Sequence, residues 1–368
     1  LSYLLTDDAK LLRESAGKFF AGSDSLKLLR QWRNAGDLTS AARGVWDGMV
    51  ALGFAGILTP EEFGGVGLDA RASIQVGEMM GRSLAGGPFI SSAVMAVTAI
   101  AHGDNERLKA ELLPAIAGGT IVVLACEEKP RHAPHAIGTV AMKKGETYVL
   151  SGVKTAVIDG NVADTLIVAA RPLDAEDLLL FLIDADAPGI TVKSRMGIDS
   201  RPIVDIEFQD VPAAPADLIC DPRHAPHLLD RAYDAGRLHL AAEMLGAAQE
   251  CFDRSVEYLK TRVQFGKKIG EFQALQHRAA ILFGELEIAR SVVLKAAATG
   301  TPEFVSMSKA RVGEIAKKAA TEAIQFHGGI GVTDDFDLGF YLKRIRAAAE
   351  LLGDSAFHAE RYARLQGL

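Results

Sequence analysis

The sequence predicts an α+β fold with an N-terminal helical domain, a central antiparallel β-barrel or sandwich, and a C-terminal four-helix bundle. Three observations carry that reading. Apolar residues recur at helical spacing up to about residue 118, at strand spacing from Ile121 to about Ile219, and at helical spacing again from about Pro222. Seven short β-branched runs crowd the middle zone, a density expected of a compact barrel or sandwich. The length of 368 residues suits two or three packed units at about 100–200 residues each, and 49% apolar residues can fill their cores. The expected boundaries are 1–118, 119–219 and 220–368.

The elements follow in order. TDDAKLLRESAGKFFAG opens on a capping Thr6 or Asp7 and spaces Leu11, Leu12, Phe19 and Phe20 at helical intervals. GVWDGMVALGFAGI and SSAVMAVTAIAHG continue the pattern. Between them LTPEEFGGVGLD reads as loop, because Pro60 and its glycines cannot prolong a helix. The strand runs are IVVLACEE, GTVAMKK, YVLSGVKTAVI, TLIVAAR, LLLFLIDAD, ITVKSR and VDIEFQDV, separated by turns such as Lys144-Gly145-Glu146 and Asp159-Gly160-Asn161. Helix is expected to return from about Pro222, with GRLHLAAEMLGAAQECFDRSVEYLKTR as one long amphipathic helix, followed by helices near 271–299, over 302–327, and over roughly 336–366.

A formal net charge of −7 and a pI near 5.8 argue against nucleic acid or an anionic membrane as the main partner. The three cysteines, Cys126, Cys220 and Cys251, form no CxxC pair, and no metal site is expected; free thiols suit a reducing cytosol. LSYLLTDDAKLL carries no basic n-region or long apolar core, and no run approaches the ~20 apolar residues of a membrane span. A cytoplasmic protein without membrane insertion is the expectation.

Two stretches carry chemistry. In TRVQFGKKIGEFQ, Arg262 precedes Phe265-Gly266, and Gln273 follows eleven residues after the arginine. An arginine fork suits phosphate oxygens, Gly266 allows close backbone approach, and Gln273 offers both donor and acceptor. In QFHGGIGV, Gln325 precedes Gly328 and Gly329 in a helix-ending loop open to a polyanion. On pattern alone, a surface arginine beside a glycine helix cap explains the first stretch, and a Schellman-type terminus explains the second. The GGIG run follows no strand, so a Rossmann reading fails.

Taken together, and in this order of zones, the stretches resemble the acyl-CoA dehydrogenase family of flavoproteins along nearly the whole chain. LGFAGILTPEEFGGVGLD is similar to the family's N-terminal loop, and MGIDSRPIVDIEFQDVPA to its last barrel strands. RVQFGKKIGEFQALQ resembles its Arg-x-x-Phe-Gly segment followed by glutamine, and QFHGGIGVTDDF its Gln-x-x-Gly-Gly-x-Gly segment. The resemblance implies FAD, shared across a subunit interface, with Arg262, Phe265, Gln273, Gln325, Gly328 and Gly329 clamping the ADP part of a cofactor held mainly by a neighbouring subunit. It also implies an acyl-CoA substrate met by Arg237, a homo- or hetero-oligomer built as a dimer of dimers, and an electron-transfer flavoprotein as electron partner.

The same resemblance exposes departures. Family chemistry removes an α-proton with a desolvated glutamate while hydride leaves for the flavin. The two places where that glutamate stands fall here on Leu352, before Gly353, and on Gly236, before Arg237. No catalytic residue is therefore assigned. Glu350 and Asp354 lie two residues either side of Leu352, about 200° away on a helix, so Asp354 reaches that place only from a loop. Asp234 reads as an N-terminal charge of the long helix, and His327 and His358 as surface or interface residues. The Trp-x-Thr flavin platform is replaced by Ala156 and Ile158, and the Thr-Glu-Pro turn by CEEKPRHAPHA. The favoured reading is a subunit that completes a partner's FAD site in a hetero-oligomer, of the kind that oxidises bulky acyl-CoAs such as steroid side-chain thioesters. The rivals are a self-sufficient homotetramer with Asp354 as displaced base, and a non-enzymatic acyl-CoA-binding scaffold.

Overall fold

The computed structural model describes residues 5–35, 39–173 and 175–368; the first four residues of LSYLLTDDAKLL and residues 36–38 of the N-terminal zone lie outside them. The first zone holds α1 (Asp7–Gly22), α2 (Ser25–Ala35), α3 (Thr39–Ala51), α4 (Ala70–Ser83), α5 (Val97–Ala101) and α6 (Glu106–Ala117). Strands β1 (Val122–Ala125), β2 (Val140–Lys144), β3 (Thr147–Lys154), β4 (Thr165–Pro172), β5 (Leu179–Asp184), β6 (Ile190–Met196) and β7 (Pro202–Ala213) follow. Then come α7 (Ala225–Thr261), a hairpin of β8 (Val263–Gln264) and β9 (Lys267–Lys268), and α8 (Gln273–Thr299), α9 (Pro302–His327), α10 (Leu338–Glu350) and α11 (Ser355–Leu365). The order helices, sheet, helices stands as the periodicity predicts. Among the described residues no helix is long and apolar enough to cross a membrane.

The chain forms two compact units assembled from separate segments. Leu1–Leu29, Ala70–Ala85 and Arg237–Leu368 make the helical unit; Arg30–Asp69 and Gly86–Gly236 make the sheet unit.

Each of the seven predicted runs overlaps one strand of a single sheet, ordered β1-β4-β2-β3-β7-β6 with β5 also on β4. Most pairings are antiparallel, but β4 runs parallel to both β1 and β2. TLIVAA within β4 is buried throughout, on both faces, which is why it reads as a continuous apolar run and not as an alternating one. Beyond β1 and β3 the chain turns tightly: the Thr155 amide donates to the Glu127 carbonyl at 2.8 Å, joining the CEEKPRHAPHA segment to the turn that carries Ala156.

In the helical unit, α1 is capped by Thr6, whose hydroxyl accepts from the Ala9 amide, while Asp7 and Asp8 occupy the first turn. Ala9, Ala16 and Phe20 form its buried face; Leu11, expected on that face, is exposed. Two buried carboxylates hold this unit together. Glu78 takes Arg13 and Arg290, and Glu243 takes Arg344. The structure corrects two helix boundaries. Asp234 does not open the long helix: α7 begins at Ala225, so Asp234 lies well inside it and is buried. The helix expected over 336–366 is two, broken at 351–354, where Leu352 has φ 57° and Gly353 φ 106°.

Candidate active and cofactor site

The Arg262 stretch is not a plain helix cap. It is a two-residue hairpin whose central residues, Phe265 and Gly266, have φ 54° and 78°, the backbone that a twisted two-residue turn demands. Glycine adopts it freely, but a bulky phenylalanine there is strained. Phe265 is nonetheless 89% exposed, its ring meeting Phe272 edge-on with centroids 6.2 Å apart. Strain of this kind points towards a site. Arg262 leads into the hairpin and Gln273 begins α8; both are exposed.

At the end of α9, Gly328 takes φ 60° and its amide donates to the Gln325 carbonyl. Gln325, Gly328 and Gly329 are exposed. The two stretches are tied together behind that surface: Tyr258, one turn before Arg262, stacks on His327 with ring centroids 4.3 Å apart, and Phe336 closes the other side at 4.8 Å. The His327 ring is held by the Ala323 carbonyl at 2.8 Å from Nδ1. Burial, partly offset by that bond, pushes its pKa down. Reading His327 as a surface residue is thus corrected: it is the buried rivet between the two motifs. The six predicted clamp residues therefore come from two stretches joined by one aromatic stack, all presented to solvent by this chain.

The corner at 351–354 is built from backbone carbonyls held by buried bases. Arg237, with no exposed surface, donates from Nε to the Leu352 carbonyl at 3.2 Å and lies over the Phe357 ring. The ring of His358, equally buried, places Nε2 3.1 Å from the same carbonyl. Lys309 donates to the carbonyls of Ala349 and Gly353 at 2.9 and 3.0 Å. Burial, then the charge of Arg237, lowers the Lys309 ammonium to about 7. Burial, then Arg237 and Lys309, lower His358 to about 2, so it is neutral and no surface residue. Arg237, which the family resemblance places against substrate, holds the Leu352 corner in this chain. Leu352 itself is buried and carries no ionisable group. The segment is loop, the condition under which Asp354 was to serve as a base, yet its carboxylate accepts from the Phe357 amide at 2.8 Å and caps α11.

In the sheet unit, CEEKPRHAPHA holds two ionised carboxylates. Glu128 meets Lys154 at 2.5 Å, with the lysine side chain wholly buried, and accepts from Gly138 and Thr139. Glu127 lies 2.6 Å from His132 Nδ1, with side-chain exposures of only 15% and 5%. Burial works to raise the Glu127 carboxyl, but His132, Tyr233 and the Ala133 amide outweigh it and hold it below its ordinary value. The His132 ring meets Tyr233 edge-on at 5.3 Å. Sequence reading named this segment as a departure without finding its network, because Tyr233 lies on α7, far along the chain. Lys309 and Tyr258 were missed for the same reason: an isolated lysine or tyrosine in an amphipathic helix carries no pattern.

Comparison with known proteins places the chain in a family. Residues 6–120, 124–211 and 228–366 match the N-terminal, middle and C-terminal domains of acyl-CoA dehydrogenase respectively. The probable acyl-CoA dehydrogenase YngJ of Bacillus subtilis is 32% identical over 307 residues, which cover 78% of this chain and 80% of that protein. The butyryl-CoA dehydrogenase structure from Megasphaera elsdenii superposes with a TM-score of 0.92 at 23% identity, covering 100% of both chains. A variant of the Tcur3481-Tcur3483 steroid ACAD superposes with a TM-score of 0.87 at 28% identity, covering 99% of each chain. The chain belongs to the acyl-CoA dehydrogenase family of FAD-dependent oxidoreductases.

Proposed function

We propose that this chain is the subunit of a hetero-oligomeric acyl-CoA dehydrogenase that completes the FAD site of an unlike partner and carries no base of its own. One contrast supports it. The donors suited to an ADP pyrophosphate, Arg262, Gln273 and Gln325 with the Gly328-Gly329 turn, all face solvent, whereas the base position is an apolar Leu352 at a corner whose one nearby cap, Asp354, is committed to a backbone amide. The clamp fits a nucleotide: the exposed arginine fork of Arg262 and the exposed amides of Gln273 and Gln325 offer several donors to phosphate oxygens, with no acidic side chain among its six residues. The chain's own ring bed does not fit, since ionised Glu127 accepts hydrogen bonds but cannot donate them to the carbonyls and ring nitrogens of an isoalloxazine. No chemical step is therefore assigned to a flavin within this chain.

What this subunit supplies is binding and positioning. Arg262 would neutralise a partner's pyrophosphate, and the Tyr258–His327 stack would keep both clamp stretches in register. Arg237, Lys309 and His358 would hold the 351–354 corner rigid as a wall and not as a proton acceptor. The Tcur3481-Tcur3483 steroid ACAD that this chain resembles makes a bulky acyl-CoA thioester the first substrate class to try. The test is Arg262→Ala in a complex isolated with its native partner. Losing a charged hydrogen bond of about 1.5–3 kcal/mol predicts roughly 10- to 100-fold weaker flavin retention, read by dialysis and visible absorbance. Unchanged retention would remove the clamp.

A further inference from the structure

We propose that residues 127–138 form an internal plug, with Glu127, pinned by His132 whose ring packs on Tyr233, closing this chain's own ring-binding bed against flavin. The inference deepens the reading above and rests on it for the location of the bed. Its own support is the geometry of the segment. The two places where the family resemblance expects a flavin platform are brought side by side, because the Thr155 amide donates to the Glu127 carbonyl at 2.8 Å. Glu127 is not a solvated side chain that a ligand could push aside. His132 Nδ1 stands 2.6 Å from its Oε1, and the Ala133 amide donates to Oε2 at 3.3 Å.

The far side of the segment is anchored as firmly. Glu128 receives buried Lys154 together with the Gly138 amide and both the amide and hydroxyl of Thr139. Two adjacent carboxylates at the start of the loop therefore staple it, Glu127 to its middle and Glu128 to its far end. Where glycines would leave room for a flat ring, His132 and Tyr233 pack edge-on at 5.3 Å. Ala156, at the platform position, is turned out with φ 50°, its amide donating to Asp205 Oδ1 at 3.2 Å. A ring entering here would have to separate Glu127 from His132 and leave a buried carboxylate unpaired. The bed is closed by the Glu127–His132 contact, not merely degraded by lost contacts.

The test uses lumiflavin, which carries the ring without the nucleotide and so does not depend on the ADP clamp. The full-length chain, purified without a partner, is titrated into lumiflavin and flavin fluorescence is followed. The wild type is expected to show no saturable quenching. Glu127→Thr combined with His132→Ser removes the contact and restores a hydroxyl donor; its affinity is expected to exceed the wild-type limit by about a hundredfold, the order set by no longer stranding a buried carboxylate. Glu127→Gln alone keeps the shape of the site, guards against misfolding of the double variant, and should gain at least about tenfold. Wild-type binding as tight as that of the variants, or variants with an unchanged thermal transition and no gain, would overturn the plug. An Arg262→Ala complex that keeps its flavin would instead sink the shared-site reading and leave this result standing.

Discussion

Replacing Arg344 by alanine is expected to destabilise the helical unit by about 3–5 kcal/mol, the cost of leaving a buried charge without its partner. Arg344 on α10 meets Glu243 on α7 through two parallel bonds, Nε to Oε1 and Nη2 to Oε2, each 2.7 Å. Their side chains are 7% and 1% exposed, so water cannot take over when one is removed. The bidentate fork also fixes the register of α10 on α7, and α10 leads directly into the 351–354 corner. A double-mutant cycle separates the pair from simple loss of volume. Glu243→Gln and Arg344→Met should each be costly alone, while the double variant should recover a substantial part of the sum, because neither then strands a charge. Thermal melts in which the single and double losses simply add would show that the two side chains do not act as a pair.

Gly81→Ala and Gly246→Ala should each cost about 3 kcal/mol, the upper end of overpacking penalties. The two glycines sit where α4 crosses α7. A Cβ on Gly81 would lie 1.9 Å from the Glu243 carbonyl oxygen and 3.0 Å from the Ala247 amide; one on Gly246 would lie 1.9 Å from the Glu78 carbonyl oxygen. Carbonyls inside helices cannot swing aside, so the helices themselves must separate. That would also disturb the Glu78 pairs with Arg13 and Arg290 and the Glu243 pair with Arg344, which flank the crossing. Gly284→Ala on the exposed face of α8 is the control, since a Cβ there meets nothing within 4 Å. It should be neutral or stabilising by up to about 1 kcal/mol, because alanine is the better helix former. Equal melting temperatures for the three variants would refute the close-crossing account.

The switch of apolar period placed each strand of the seven-stranded sheet, because β-branched residues and alternation are local signals. It could not reveal that β4 runs parallel to β1 and β2, since alternation carries no strand direction. The start of α7 was obscured by Gly236, which looked like the edge of a helix that in fact runs through it. The break before α11 did have a signal, Gly353-Asp354-Ser355, a left-handed residue followed by a capping aspartate, but the apolar spacing continues across it. Among site residues, the clamp was legible because its glycines and arginine sit at short, fixed intervals. What locks it, Tyr258 on His327, joins residues far apart in sequence and leaves no local trace. The same holds for the bases beneath Leu352 and for Tyr233 beside Glu127: packing brought them together, and no spacing could announce it.

The count of flavin per chain tests the central claim most directly. A complex isolated from its native cells is split into its subunits, and FAD absorbance is compared with the amount of each polypeptide. The account predicts that this chain alone is colourless and does not oxidise acyl-CoA, with flavin in the complex matching the partner's copy number only. One equivalent of FAD on this chain by itself, with turnover, would contradict it.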